Sequence, residues 1–183
     1  MQAFTEPRIP EPNLDFARQR EEALVRLDLE GLDCPLRDLV SRLAEMPCCF
    51  PVESCCGHYA ILDGGRRRVF DSLPPLNGST TSVLYRVAHV ALCLDDSPSG
   101  RDLLRELRAV PAIAPERVQF GCVDHLWERQ INTFVLQVVP WPHRFVDDVL
   151  LLPAEATEVE EARRWFFNRL DDLVRDLRER LGA

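Results

Sequence analysis

The stretch VLYRVAHVALCL, residues 83–94, constrains the fold of this chain more than any other. Branched and aromatic residues dominate it, and only Arg86 and His89 interrupt its apolar character. A strand that is apolar on both faces must be covered on both faces, so it predicts a central strand with helices packed around its sheet. Alternation places Arg86, Ala88 and Val90 on one face and Tyr85, Val87 and His89 on the other.

The flanking sequence supplies those helices. Asn13 is expected to cap a helix to about Arg26, with Leu14, Ala17, Leu24 and Leu27 inward. Asp33 opens a second helix, with Pro35 in its first turn and Leu36, Leu39, Val40 and Leu43 at helical spacing before Pro47 stops it. His58–Leu62 and Val69–Phe70 read as short strands around Asp63-Gly64-Gly65, followed by a loop over 72–82. Ser97 opens a helix through Leu103, Leu104 and Leu107, and Val118–Val123 and Ile131–Val139 read as strands. Residues 124–129, DHLWER, read either as a solvated connection or as a pocket rim.

Thr157 and Glu160 have the spacing of a capping box for the last helix. Val159, Ala162, Phe166, Leu170, Leu173, Leu177 and Leu181 trace its apolar stripe. About 25 helical residues span roughly 38 Å, long for one small sheet. Trp165 and Phe167 lie off the stripe, which points to a homodimer as one way of covering this helix. The expected fold class is α/β (or α+β): a mixed central sheet, flanking helices and a long C-terminal helix. Residues 1–12, with three prolines, form an extended arm, 13–153 an α/β domain, and 154–183 the helix packed on that domain or on a partner subunit.

Charge narrows the chemistry. The chain has no lysine; all 22 basic residues are arginine, so neither a Schiff-base lysine nor a P-loop lysine is available in it. A net charge of −8 argues against an extended nucleic-acid footprint, where cations must meet phosphates. Arg66-Arg67-Arg68 reads as a solvated hairpin tip. The opening residues show no signal-peptide pattern, and no apolar run reaches the ~20 residues of a membrane span, so a cytoplasmic protein is expected. Seven cysteines, an odd number with two adjacent pairs, read as thiols or ligands rather than disulfides.

Four of those cysteines fall in PCCFPVESCCGHYAIL, residues 47–62. Cys55 with His58, and Cys122 with His125, form two Cys-x-x-His hooks that together offer a tetrahedral zinc set. The competing reading makes Cys55, Cys56 and Cys122 small buried hydrophobes. His58 follows Cys55 closely enough to activate its thiol, with Glu53 orienting the imidazole. Arg86 and His89 are costly in an apolar strand unless they are paired or face an opening, and both outcomes stay open.

Residues 32–62, LDCPLRDLVSRLAEMPCCFPVESCCGHYAIL, with YRVAHVALCLDD and the leucine-rich helix after it, resemble the wybutosine-synthesis methyltransferase family, the third protein of that tRNA-modification pathway. The resemblance spans roughly residues 30–110. Ser54, Cys55 and Gly57 match that family's Ser-Ser-Cys-Ser-Gly-Arg signature, and Arg86 and His89 match its Arg-Val and His-Val strand. Glu53 and Cys56 stand where that family has serines, and His58 where it has arginine. The resemblance implies an α/β fold with S-adenosylmethionine and a modified guanosine as ligands.

Two functions are therefore expected. In the first, a methyltransferase-like enzyme acts on a nucleotide or small anionic molecule, with Ser54, His58 and His89 catalytic and Cys55, Cys56, Gly57 and Arg86 binding substrate. In the second, a non-catalytic protein holds a metal or metabolite at its Cys/His site and dimerises through the last helix.

Overall fold

Apolar residues at helical spacing and apolar runs of strand length resolve into two sheets braced by helices. The computed structural model describes residues 4–63, 66–76, 78, 80–141, 143 and 146–181. The order is β1 (Phe4–Thr5), α1 (Phe16–Arg26), α2 (Cys34–Glu45), β2 (Cys49–Cys55), β3 (His58–Asp63), β4 (Arg66–Phe70), β5 (Val83–Arg86) and β6 (Ala88–Leu94). Then come α3 (Pro98–Ala109), a 3-10 turn (Val110–Ile113), β7 (Val118–Val123), α4 (Asp124–Arg129), β8 (Thr133–Val138), β9 (Asp148–Leu151) and α5 (Pro153–Leu181). The fold is mixed α/β with a long C-terminal helix.

The larger sheet has the order β1-β7-β8-β6-β2 and the smaller β4-β3-β5-β9, and every pairing among the described residues is antiparallel. Directly opposed residues share a face. One face of the larger sheet, with Ala88, Val90, Leu92, Leu136, Val138, Val118 and Cys122, joins the main core beneath α2, α3 and α5. Leu36, Leu39, Val40 and Leu43 of α2 are all buried there, as their spacing requires. The helix α5 touches α2 and α3 and strands of both sheets, β8 in one and β5 and β9 in the other. Its length is explained by that double load. The other face of the larger sheet is covered only in part, by α1 and α4.

The 83–94 stretch departs from expectation. It is two strands, β5 in the smaller sheet and β6 in the larger, separated at Val87, whose N–H donates to the Asp147 carbonyl at 2.9 Å. Each half keeps its burial by passing from one sheet to the other, which an apolar pattern alone does not distinguish from one long strand.

Smaller differences have local causes. In α1 the inward residue is Phe16, packed on Phe50 at 5.5 Å between ring centroids, whereas Leu14 and Ala17 are exposed. Residues 124–129 form α4, because Leu126 and Trp127 bury themselves. The last helix begins at Pro153, so Thr157 lies within it and its hydroxyl donates to the Pro153 carbonyl at 3.0 Å. Phe167 packs partly buried against the core, while Trp165 stays 49% exposed. Gly64 and Gly65 of the expected hairpin turn, and the Leu181 side chain, lie outside the described residues. Strand β9 has no counterpart in the sequence reading. The arm is held by β1 against β7, and beyond it by Glu11 and Asn132, which exchange two hydrogen bonds of 2.8 Å. Among the described residues, no helix is long and apolar enough to cross a membrane.

Candidate functional site at the corner between the sheets

Two connections cross between the sheets side by side: β2 passes to β3 through Cys56-Gly57, and β5 to β6 through Val87. Cys55 is opposite His89 on the larger sheet, and His58 is opposite Arg86 on the smaller. A corner of this kind removes main-chain groups from both ladders, and buried ones need other partners. Tyr85 Oη accepts from the Ala88 N–H at 2.9 Å. Arg163 of α5 donates to the carbonyls of Cys56 and Gly57 at 2.8 and 3.3 Å, while its remaining nitrogens bond Glu160 at 2.8 and 3.1 Å. Gly57 has φ +83°, and a Cβ there would lie 2.9 Å from Ala88 Cβ and 3.0 Å from Tyr85 Oη. Only glycine combines that conformation with so close an approach.

Beside the corner, His58 stands between two carboxylates, with Nε2 3.4 Å from Asp33 Oδ2 and Nδ1 3.2 Å from Asp71 Oδ1. Asp33 begins α2 but makes no side-chain cap; its Oδ2 accepts instead from the Cys56 N–H at 3.4 Å. Cys55 Sγ accepts from the Gly57 N–H at 3.4 Å. Ligand atoms of Asp33, Cys55 and His58 all lie within 4.8 Å of one another. Burial pushes the Cys55 thiol up, and the Asp33 charge adds to this, while the Gly57 N–H and Arg86 oppose it. Burial, and then Asp33, push the Cys56 thiol up much further. Both shifts run opposite to the lowered value that an activated Cys55 nucleophile needs.

Two clefts meet at Glu53. One, of about 550 Å³, runs along the edge strand β2 between α1 and α2, and includes Arg26, Leu27, Val40, Phe50, Ser54 and Arg129. The other, of about 260 Å³, opens on the incompletely covered face of the larger sheet, and includes Arg86, His89, His125, Gln137 and Asp147. Gln137 is buried there and donates to Gln119 at 3.0 Å. Glu53 is 3.4 Å from His89 Nε2 and 3.8 Å from Arg129. The hydrogen bond from His89 holds the Glu53 carboxyl below its usual range against the opposing effect of burial.

The sequence-predicted residues thus adjoin one another without sharing one hollow. Ser54 faces the larger cleft, Arg86 and His89 the smaller, and Cys55 and His58 the Asp33 cluster. Arg86 and His89 line one cleft although alternation separates them, because the break at Val87 resets the pattern; Arg86 also pairs with Asp148 at 3.4 Å.

The second zinc hook does not join the first. Cys122 lies on β7, three strand spacings or roughly 14 Å from β2. It faces the main core, whereas Cys55 lies opposite His89 on the other face. Cys122 Sγ accepts from the Arg8 N–H at 3.4 Å, and His125 lines the smaller cleft. The sequence reading missed Arg163 and Asp71 altogether, and took Asp33 only as a helix cap. An arginine within the apolar stripe of α5, next to Ala162 and three residues before Phe166, was the available signal for Arg163.

No protein-family model matches this sequence, and no curated protein does. Among solved structures, the chain is similar to the PH1069 protein from Pyrococcus horikoshii, at 14% identity and a TM-score of 0.56 over 89% of this chain and 96% of that one. A second structure of PH1069, from Pyrococcus horikoshii OT3, aligns at 14% identity and a TM-score of 0.53 over 91% and 95%. At this identity the likeness concerns the fold.

Proposed function

We propose that this chain is a transferase related to the wybutosine-synthesis methyltransferases, taking S-adenosylmethionine in the larger cleft and a nucleotide or small anionic acceptor in the smaller. The observation that carries this reading is that the two clefts meet at Glu53. Methyl transfer needs a donor and an acceptor held in line, rather than a protein nucleophile. The donor C–S bond breaks as the methyl–acceptor bond forms, the donor leaves as a neutral thioether, and a proton released by the acceptor needs a base. Glu53, ionised and common to both clefts, fits opposite the sulfonium charge. His89, with Nε2 toward Glu53 and Nδ1 toward the Val87 carbonyl at 3.2 Å, positions that carboxylate, which takes the proton, and Arg86 is the cation for an anionic acceptor. The free thiols of Cys48, Cys49, Cys55, Cys56, Cys93 and Cys122 support a reducing, cytoplasmic setting.

Calorimetric titration of the full chain with S-adenosylmethionine tests this. Saturable micromolar binding, weakened in Glu53→Gln, is the expected result; no binding to the wild-type chain would overturn it and favour the non-catalytic alternative.

A further inference from the structure

We propose that Asp33, Cys55 and His58 form a three-ligand site for a thiophilic divalent cation of the zinc class, with Asp71 as the outer partner of His58. The ligands come from the start of α2, the end of β2 and the start of β3, so the fold, rather than local sequence, assembles them.

Three features favour a cation over a simple ion pair. The first is spacing. The 3.4 Å between His58 Nε2 and Asp33 Oδ2 makes at most a long, weak hydrogen bond and leaves the spacing of two ligands on one ion. Two ligands bound at about 2.05 Å with a tetrahedral angle lie about 3.3 Å apart. The second is orientation. A metal-bound histidine commonly gives its other ring nitrogen to a carboxylate, and His58 Nδ1 faces Asp71 Oδ1 at 3.2 Å. The third is charge: one thiolate and one carboxylate neutralise a divalent cation.

Three protein ligands leave a fourth tetrahedral position for water or a substrate atom, which is the pattern of catalytic rather than structural zinc sites. His58 and Arg86 oppose one another across β3 and β5, so an anionic group bound there would meet both the cation and a guanidinium. None of the three ligands lines either cleft, although Arg86 lines the smaller one, so cation binding stands whether or not the clefts bind S-adenosylmethionine.

The test uses the full-length chain, stripped with a chelator, exchanged into chelator-free buffer, and titrated with cobalt(II) and then zinc. One equivalent of cobalt giving a thiolate charge-transfer band and tetrahedral visible bands, displaced by zinc, is the expected result. Cys55→Ser should abolish the thiolate band, Asp33→Asn and His58→Gln should lower affinity at least tenfold, and Asp71→Asn should lower it about 10–100-fold. Cys122→Ser and His125→Gln should leave it unchanged. Circular dichroism confirms that each variant is folded, and the wild-type titration alone can refute the proposal. No thiolate band in the wild-type chain, a band that survives in folded Cys55→Ser, or equal loss in Cys122→Ser would overturn it.

Discussion

Arg163 donates to the main-chain carbonyl of Cys56 at 2.8 Å, joining residues 107 positions apart in the chain. Arg163 is 6% exposed, yet its guanidinium is paired with Glu160 on the same helix turn and lies 5.6 Å from the Tyr59 ring centre. It ties α5 to the corner on which Cys55, Gly57 and His58 depend. Replacing it by alanine leaves Glu160 and two carbonyls without their partner. Breaking a buried pair in this way costs about 3–5 kcal/mol. Arg163→Ala should lose that much in urea denaturation, and Arg163→Lys should recover only part, because lysine lacks the planar fork.

The second prediction concerns backbone geometry at the same corner. Gly57→Ala should destabilise by about 2 kcal/mol or more, since the left-handed conformation and the contact with Ala88 both oppose a Cβ. Gly78 has open space where a Cβ would stand, so Gly78→Ala is the matched control and should change stability by less than about 0.5 kcal/mol. Comparable losses at the two positions, measured by denaturant midpoint, would contradict this account of the corner.

The chain has only two tyrosines, Tyr59 and Tyr85, and both are fully buried with their rings stacked at 4.9 Å. Burial pushes both phenols far above their ordinary value. The neutral forms are therefore favoured in the folded state. Their contribution is complete below the unfolded value of about 10 and is lost as pH rises beyond it, by up to about 1.4 kcal/mol per pH unit for each ring. Ultraviolet titration should show no tyrosinate at pH values just above that range while the chain stays folded, then both rings ionising together with unfolding. Gradual ionisation before any loss of circular dichroism would refute it.

What could be read from the sequence follows physical range. The inner faces of α2 and α5 were legible because helical spacing repeats locally: Leu36, Leu39, Val40 and Leu43 in one, Phe166, Leu170, Leu173 and Leu177 in the other. Asp33, Cys55 and His58 were each visible as residues, but their meeting depends on β2 turning into β3 beside the start of α2. The break at Val87 was hidden because both halves of 83–94 remain apolar, and only Asp147 and Tyr85 reveal where the lost ladder bonds go. Pairing the two Cys-x-x-His hooks failed for a related reason. Spacing within a hook says nothing about which strands separate the hooks, nor which face of the sheet each thiol occupies.

Glu53 offers a way to separate binding from folding. Its carboxyl is held below the usual range chiefly by His89, with Arg129 and His125 adding to the effect. A depressed value in the folded state contributes stability above the unfolded value of about 4.3, and this is lost as pH falls through the folded value. The side chain is 46% exposed, however, so solvent screens the pair and the contribution at neutral pH should be below about 1 kcal/mol. Glu53→Gln should therefore melt almost as the wild type does at pH 7, and the two curves should converge below about pH 4. Binding of S-adenosylmethionine should respond differently, because a neutral amide between the clefts no longer opposes a sulfonium charge. A variant that folds normally yet binds at least tenfold more weakly locates Glu53 at the ligand. Equal affinity in the two proteins would remove it from the site and leave the clefts without their shared charge.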